Sequence, residues 1–466
     1  MRLKDNDNCA DINHMSQQAI FRSVLDQLRQ LGYGDGLLRE GWRFKDWFST
    51  PSEAMSEFTA DAAAFGRLPF GHDNACFAVV ITRNSTGPDP ISRYRSLGAP
   101  LAFEITPNQV LLWIVRAENA NRTRPTAIAP DELNATFASH VDDWSPAAML
   151  RAKNIVPGPR IRQPDFIDLG LMPALEEHMR EKLDPLLREI FFAAMKTYQI
   201  HKSTQPNPGK LFRLVFRVLA GKVMTDRQMP SFQRFATSPN PNELLAAVNS
   251  HFGDQPHLIA DAATRQVVVD RFWSAFSLDD ISASVLSLIW ENTLVDDEVR
   301  QAVGLYGTPT SVARYMADRI KIDQVTDEEE RTVVEPCCGN GAFLLAAMKK
   351  LTALLDPQTY TNQDRHDYLK RMLSGFDTDP FGLEVARDCL MLADLPNSNG
   401  WTLEADNVFQ SRENSPMFYA KLQEARFVLC NPPFTPPFTE KEKLHFVTES
   451  HLKPVELLNR SEEHTS

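Results

Sequence analysis

Four residues late in the chain, Asn431, Pro432, Pro433 and Phe434, combine the types that recognition of an amino group requires. They follow an apolar run, Phe427 to Cys430, that reads as a short buried strand. Two prolines fix the backbone where a parallel sheet presents its ligand edge. The Asn431 amide oxygen and the Pro432 carbonyl then offer two acceptors to one amino group, and Phe434 adds a stacking face. Taken alone, the same four residues also fit a plain proline-rich turn.

A second segment, Glu335-Pro336-Cys337-Cys338-Gly339-Asn340-Gly341-Ala342-Phe343-Leu344, follows one predicted strand and opens a helix. Gly339 and Gly341 let the backbone turn tightly and approach a ligand closely, and the helix N-terminus supplies free N–H groups. A dinucleotide fingerprint would want a third glycine where Leu344 stands, and a P-loop would want Gly-Lys-Ser/Thr, so both nucleotide readings lose ground. A purely structural strand-to-helix turn stays open. Asp377, within Gly375-Phe376-Asp377-Thr378-Asp379-Pro380, ends the next strand, where a carboxylate can accept from both hydroxyls of a ribose. It stands 36 residues after Gly341, and the extra polar stretch from Asp356 to Asp367 accounts for that interval. Its alternative is an exposed loop carboxylate. Asp406, in Ala405-Asp406-Asn407-Val408-Phe409, follows a third strand and falls at the rim of the same cleft.

These segments need a sheet to bring them together. From residue 301 short apolar runs alternate with helices: Thr332 to Glu335, Leu373 to Phe376, Trp401 to Leu403, and Phe427 to Cys430. That alternation predicts a parallel sheet with crossover helices. Residues 165–300 read as helical. Leu175, Met179, Leu183, Leu187 and Ile190 share one apolar face, as do Leu211, Val215, Leu219 and Val223. Lys210, Arg213 and Arg217 share another face, either solvated or a stripe that contacts phosphate. Residues 278–292 suggest a further helix capped at Asp279 or Asp280. Upstream, 16–150 reads as a small α/β unit. It has a buried strand at Ala75 to Thr82, a turn-rich loop at Asn84 to Pro90, a short helix at Ile91 to Leu97, and a hairpin around Pro107-Asn108. A linker from Ile155 to Pro164 closes it.

The chain has 466 residues, 43% of them hydrophobic and 24% charged, which is ordinary for a globular protein of two to four domains. No run approaches the twenty apolar residues of a membrane span, and the first residues lack the order of a signal peptide, so a cytoplasmic location without membrane is expected. A net charge of −12 argues against a surface devoted entirely to nucleic acid but leaves room for a local basic cleft. The six cysteines match neither a zinc site nor a disulfide framework, and no metal is expected.

Together the cofactor-type loop at 335–344 and Asn431-Pro432-Pro433-Phe434 resemble the DNA adenine-N6 methyltransferases of restriction–modification systems, type I or type IIG, in the subgroup where the cofactor motif precedes the catalytic one. Gly304-Leu305-Tyr306-Gly307-Thr308-Pro309, followed by Val312 and Met316, is similar to that family's additional cofactor motif, with Gly307 where a second aromatic is usual. The helical stretch, with Leu211 to Arg227 and Ser277 to Asn292, resembles the region ahead of the catalytic domain. The resemblance implies an α/β fold: a sheet of the S-adenosylmethionine-dependent methyltransferase type, incomplete here, preceded by a helical domain and a small α/β domain. The implied boundaries are 1–155, 165–300 and 301–459. S-adenosyl-L-methionine is the implied cofactor, held by Tyr306, Thr308, Pro309, Glu335, Pro336, Gly339, Asn340, Gly341, Phe343, Asp377 and Asp406. Catalysis would fall to Asn431, Pro432, Pro433 and Phe434. Double-stranded DNA is the implied partner, with a specificity or restriction subunit. Tyr94 to Trp113 resembles a nuclease-type domain fused to some such enzymes, but the strand Cys76 to Val80 lacks the acidic and Glu-x-Lys residues that would hold Mg²⁺, so an inactive or structural copy is expected. Arg460 to Ser466 match the translation of a sequencing-library adaptor, so the natural frame is expected to continue beyond Asn459 and this fragment to be poorly soluble and inactive. Two rival functions remain: a methyltransferase acting on protein glutamine or a ribosomal guanine amino group, and a catalytically silent DNA-binding subunit.

Overall fold

The computed structural model describes residues 6–34, 36–49, 55–82, 91–118, 124–154, 168, 170–253, 256–279, 281, 285, 308, 310–409 and 412–432. Tyr306, Pro309, Pro433, Phe434, the 84–90 loop, the 155–164 linker, most of the 278–292 helix and the 460–466 tail lie outside them. The chain divides into two compact units, Met1–Lys182 with two short later pieces, and Leu183–Asp279 with Ala283–Leu355 and Tyr360–Ser466.

In the first unit, helix α1 (Asn6–Gln30) precedes strands β1 (Leu38–Lys45), β2 (Glu57–Phe65), β3 (Ala75–Ile81), β4 (Leu101–Ile105), β5 (Val110–Ile114) and β6 (Thr126–Ile128). The strands lie side by side in chain order, antiparallel except for the β3–β4 pair. That parallel step is crossed by a 3-10 turn at Ser92–Leu97, where the short helix was expected. Helices α2 (Leu133–Ser139), α3 (Val141–Trp144) and α4 (Pro146–Asn154) follow. Strand β3 is covered on both faces, which is why it reads as an unbroken apolar run. One face packs Phe21, Val24, Leu25 and Leu28 of α1 with Phe77, Phe103 and Trp144; the other packs Phe44, Phe65, Tyr94 and Leu97. The hairpin of β4 and β5 turns at Pro107-Asn108, with the Thr106 hydroxyl bonded to Gln109 O at 2.8 Å.

The division between the units falls within helix α5 (Leu171–Lys202), whose face Leu175, Met179, Leu183, Leu187 and Ile190 is buried as its period predicts. Helices α6 (Pro208–Asp226), α7 (Pro241–Phe252) and α8 (Ala262–Ser274) each start at a side-chain cap, Asn207, Asn240 and Asp261. Buried Leu211, Val215, Leu219 and Val223 form the core face of α6. Of the three basic residues, Lys210 is exposed, but the other two are neither a solvated face nor a free phosphate stripe. Arg213 Nε bonds Glu384 at 2.6 Å and its Nη1 bonds His257 O at 3.2 Å, while Arg217 is buried with its guanidinium 4.9 Å from the Phe252 ring centre.

The same unit continues with α9 (Thr310–Arg319), β7 (Val333–Glu335), α10 (Ala342–Leu354), α11 (Asn362–Met372), β8 (Leu373–Asp377), α12 (Pro380–Ala393), β9 (Thr402–Ala405), α13 (Pro416–Glu424) and β10 (Phe427–Val428). These four strands fall on the four apolar runs and make one parallel sheet in the order β10-β7-β8-β9. From β7 the chain moves to β8 and β9 on one side and returns to β10 on the other. Strand order therefore reverses at β7, and the crevice beyond the carboxyl ends of β7 and β10 is where such sheets take ligands. Buried Lys350 of α10 donates to Ala317 O, Asp318 O and Ile320 O at 3.0, 2.9 and 2.5 Å, tying down the carbonyl end of α9. Among the described residues, no helix is long and apolar enough to cross a membrane.

Candidate functional site

The glycine loop leaves β7 at Glu335, which is buried, and its Oε2 accepts the Leu344 N–H at 3.0 Å. Leu344 is the third residue of α10, so this carboxylate sits at the positive end of the helix and satisfies one of its free donors. Between them the chain turns sharply: Cys338 N–H bonds Phe376 O at 2.9 Å and Gly341 N–H bonds Cys338 O at 2.7 Å. Gly339 and Gly341 have φ of +48° and +81°, which side chains rarely adopt. The two differ in surroundings. A Cβ on Gly341 would lie 3.0 Å from Ala386 Cβ, because α10 and α12 cross there, whereas a Cβ on Gly339 would meet nothing within 4 Å. Gly339 thus presents open backbone toward the crevice.

Asp377 ends β8 and faces that loop. Its Oδ2 accepts the Gly339 N–H at 2.7 Å and its Oδ1 the Asp379 N–H at 2.9 Å. Asp377 is therefore no stray loop carboxylate; it fixes the glycine turn to the neighbouring strand. Asp406 follows β9, with its N–H on Asp377 O at 2.9 Å and its Oδ1 accepting the Ser415 hydroxyl at 2.6 Å. Beneath these ends Val334, Phe376, Val408 and Phe418 form a small apolar floor, against which Cys337, Phe409 and Tyr419 pack. Cys338 is buried, and burial pushes its thiol well above the usual cysteine value. The Cys337 thiol is raised by its hydrogen bond with Cys430 and further by burial.

Asn431 closes the arrangement. Its Nδ2 donates to Thr308 Oγ1 at 3.1 Å, joining segments 123 residues apart. Glu335, Gly339, Asn340, Gly341, Asp377 and Asp406 all stand at the carboxyl ends of β7, β8 and β9, with Asn431 and exposed Pro432 just past β10. Phe343 is buried in the core, at 1% exposure, rather than facing a cleft. Three contributors escaped sequence reasoning. A Cβ on Gly375 would sit 2.7 Å from Leu344 Cδ1, 2.8 Å from Leu403 Cδ2 and 3.2 Å from Cys338 Sγ, so only glycine lets the loop and helix close over β8. A lone glycine inside a strand is the signal that could have found it. Ser415 and Lys350 act through contacts that no local pattern announces. Among the described residues, no group of three or more His, Cys, Asp or Glu is arranged to hold a metal.

The site's donor set suits a nucleoside-bearing ligand: open glycine backbone, a helix N-terminus and carboxylates at two successive strand ends. Comparison with known proteins agrees on the region. Residues 282–459 match the family described as N-6 DNA Methylase. Over 121 residues, 25% of the chain, the sequence is 27% identical to the adenine-specific methyltransferase PglX of Streptomyces coelicolor. The chain spans about 10% of the length of that curated relative. Among solved structures it is similar to a modification subunit of a putative type I restriction enzyme from Vibrio vulnificus YJ016, at 16% identity and a TM-score of 0.37, covering 56% of this chain and 62% of that one. The DrdV–DNA complex gives 12% identity and a TM-score of 0.35 over 88% of this chain and 41% of that one.

Proposed function

We propose, from the N-6 DNA methylase domain at residues 282–459, that this chain is the cofactor-binding and catalytic part of a DNA adenine-N6 methyltransferase. The observation that carries the reading is the meeting of Asn431 with Thr308 beside the glycine loop, at the switch point of a parallel sheet. S-adenosyl-L-methionine, bound there, would supply an electrophilic methyl group on its sulfonium for the target amino nitrogen. Gly339 and Gly341 bring backbone close to this cofactor, Asp377 accepts from its ribose and Asp406 from its adenine amino group. Tyr306 and Pro309 would belong to its methionine end. The Asn431 amide oxygen and Pro432 carbonyl accept from the target amino group, which draws the N6 lone pair out of conjugation with the ring. Phe434 stacks on the base, which must leave the duplex to reach the cleft. Catalysis is then mostly positioning.

A restriction–modification or related defence system is the proposed setting, with double-stranded DNA as partner. The test is methyl transfer from tritiated cofactor to DNA, RNA and protein by the full-length protein. Asn431→Ala is expected to abolish transfer to adenine with cofactor affinity nearly intact, and Phe434→Ala to weaken hold on the base by about 1–3 kcal/mol. Transfer to protein or RNA alone, or an unaltered rate in both variants, would remove this reading.

A further inference from the structure

The contact between Asn431 Nδ2 and Thr308 Oγ1, at 3.1 Å, constrains more than distance. An amide side chain has a donor end and an acceptor end, and half a turn about its last torsion exchanges them. Only the acceptor end can receive a hydrogen bond from an amino group. The opposite orientation would set Nδ2 against the N–H groups of the substrate, donor facing donor. In the structure Nδ2 faces the Thr308 hydroxyl, which turns the Oδ1 end away from Thr308 and leaves it as the acceptor for a substrate amino group.

Thr308 is built for such a task. It is 9% exposed, and Thr310, two residues on, begins α9, whose far end is tied to Lys350 by three carbonyl bonds. Asn431, by contrast, lies past the last hydrogen-bonded pair of β10 and follows it without regular structure. The anchored partner thus orients the less anchored one. The hydroxyl has one proton and two lone pairs, so accepting from Asn431 leaves its proton for another group.

We propose that Thr308 is a positioning residue that holds the Asn431 amide oxygen toward the target amino group. The inference rests on the reading of Asn431 as that group's acceptor. It differs from a role in holding the cofactor, and the two roles move different constants.

The experiment uses the full-length protein with Thr308→Val, which keeps shape and removes the acceptor, Thr308→Ser, which restores it, and Asn431→Ala as reference. Calorimetry with S-adenosylmethionine gives affinity, and single-turnover transfer to an adenine-containing duplex at saturating cofactor gives the rate. Thr308→Val is expected to slow the single-turnover step about three- to tenfold, the range of one hydrogen bond, with cofactor affinity changed less than about twofold. Thr308→Ser should recover most of the rate. A parent-like rate in Thr308→Val, with Asn431→Ala inactive, overturns the inference and leaves the functional reading standing. So does a loss of cofactor affinity with an unchanged saturated rate. If Asn431→Ala transfers methyl as fast as the parent, the catalytic reading fails and the inference falls with it.

Discussion

Replacing Asp377 by Asn separates the two duties of its carboxylate. In the structure each oxygen accepts one backbone N–H, from Gly339 at 2.7 Å and from Asp379 at 2.9 Å. Asparagine keeps one acceptor and turns an NH₂ group toward the other donor. Both donor residues are partly open to solvent, so water can replace the lost partner, and the low end of the range applies, about 1 kcal/mol of stability. For a unit of this size that is a drop of roughly 2–4 °C in Tm. Accepting from a ribose is a separate, charge-assisted duty worth about 1.5–3 kcal/mol, or roughly ten- to a hundredfold in Kd. Asp377→Asn should therefore weaken binding of S-adenosylhomocysteine far more than it lowers Tm. A 2′,3′-dideoxy analogue closes the cycle: it should bind the parent weakly and lose little further in the variant. An equal penalty for the missing hydroxyls in parent and variant would refute the ribose assignment and leave Asp377 as a brace for the turn.

Three further outcomes are expected. Gly375→Ala must push Leu344 and Leu403 aside in a packed core, costing about 1–3 kcal/mol, and should lower Tm by several degrees and weaken cofactor binding; a parent-like melt would contradict the packing. His251, held to Pro396 O at 2.7 Å, has its pKa lowered by burial, so its neutral form is favoured on folding; stability should be lost as pH falls below about 6.5, and His251→Gln should flatten that slope between pH 7.5 and 5.5. The first unit should show no EDTA-sensitive cleavage of DNA: Glu104 spends both oxygens, on the Thr82 hydroxyl at 2.6 Å and the Trp113 indole at 2.8 Å, and β3 carries no acid. Cleavage abolished by EDTA would reverse that assignment.

The strands of the second unit were legible because each is a short apolar run between helices, and α5 and α6 because their apolar steps hold to three and four. Strands β1 and β2 were not. Leu38–Lys45 mixes charge with aromatics, and the alanines of Glu57–Phe65 favour helix locally; tertiary burial overrides them, since Ala60, Ala62, Ala63 and Ala64 are fully covered. At the site, residue types showed which side chains carry chemistry but not which way they face. Glu335 turns inward to the α10 terminus nine residues on, Phe343 goes to the core, and Arg213 pairs with Glu384, 171 residues away; none of these directions is set by residue type alone. The order β10-β7-β8-β9 is equally silent in the sequence, because four similar runs permit several arrangements.

The Lys350 clamp sets where this region tolerates changes in length. Both arms of the clamp are about two helical turns: α9 from Thr310 to Ala317, and α10 from Ala342 to Lys350. One residue inserted in either arm would rotate its far end by about 100° and shift it about 1.5 Å, carrying Thr308 or the glycine loop out of register with the other. The connection from Lys321 to Thr332 lies outside both arms, but its start is tied to the clamp, with Asp323 3.8 Å from Lys350 Nζ and Ile322 buried. Indels among related sequences should therefore avoid the two helices, a pattern of spacing rather than of residue identity.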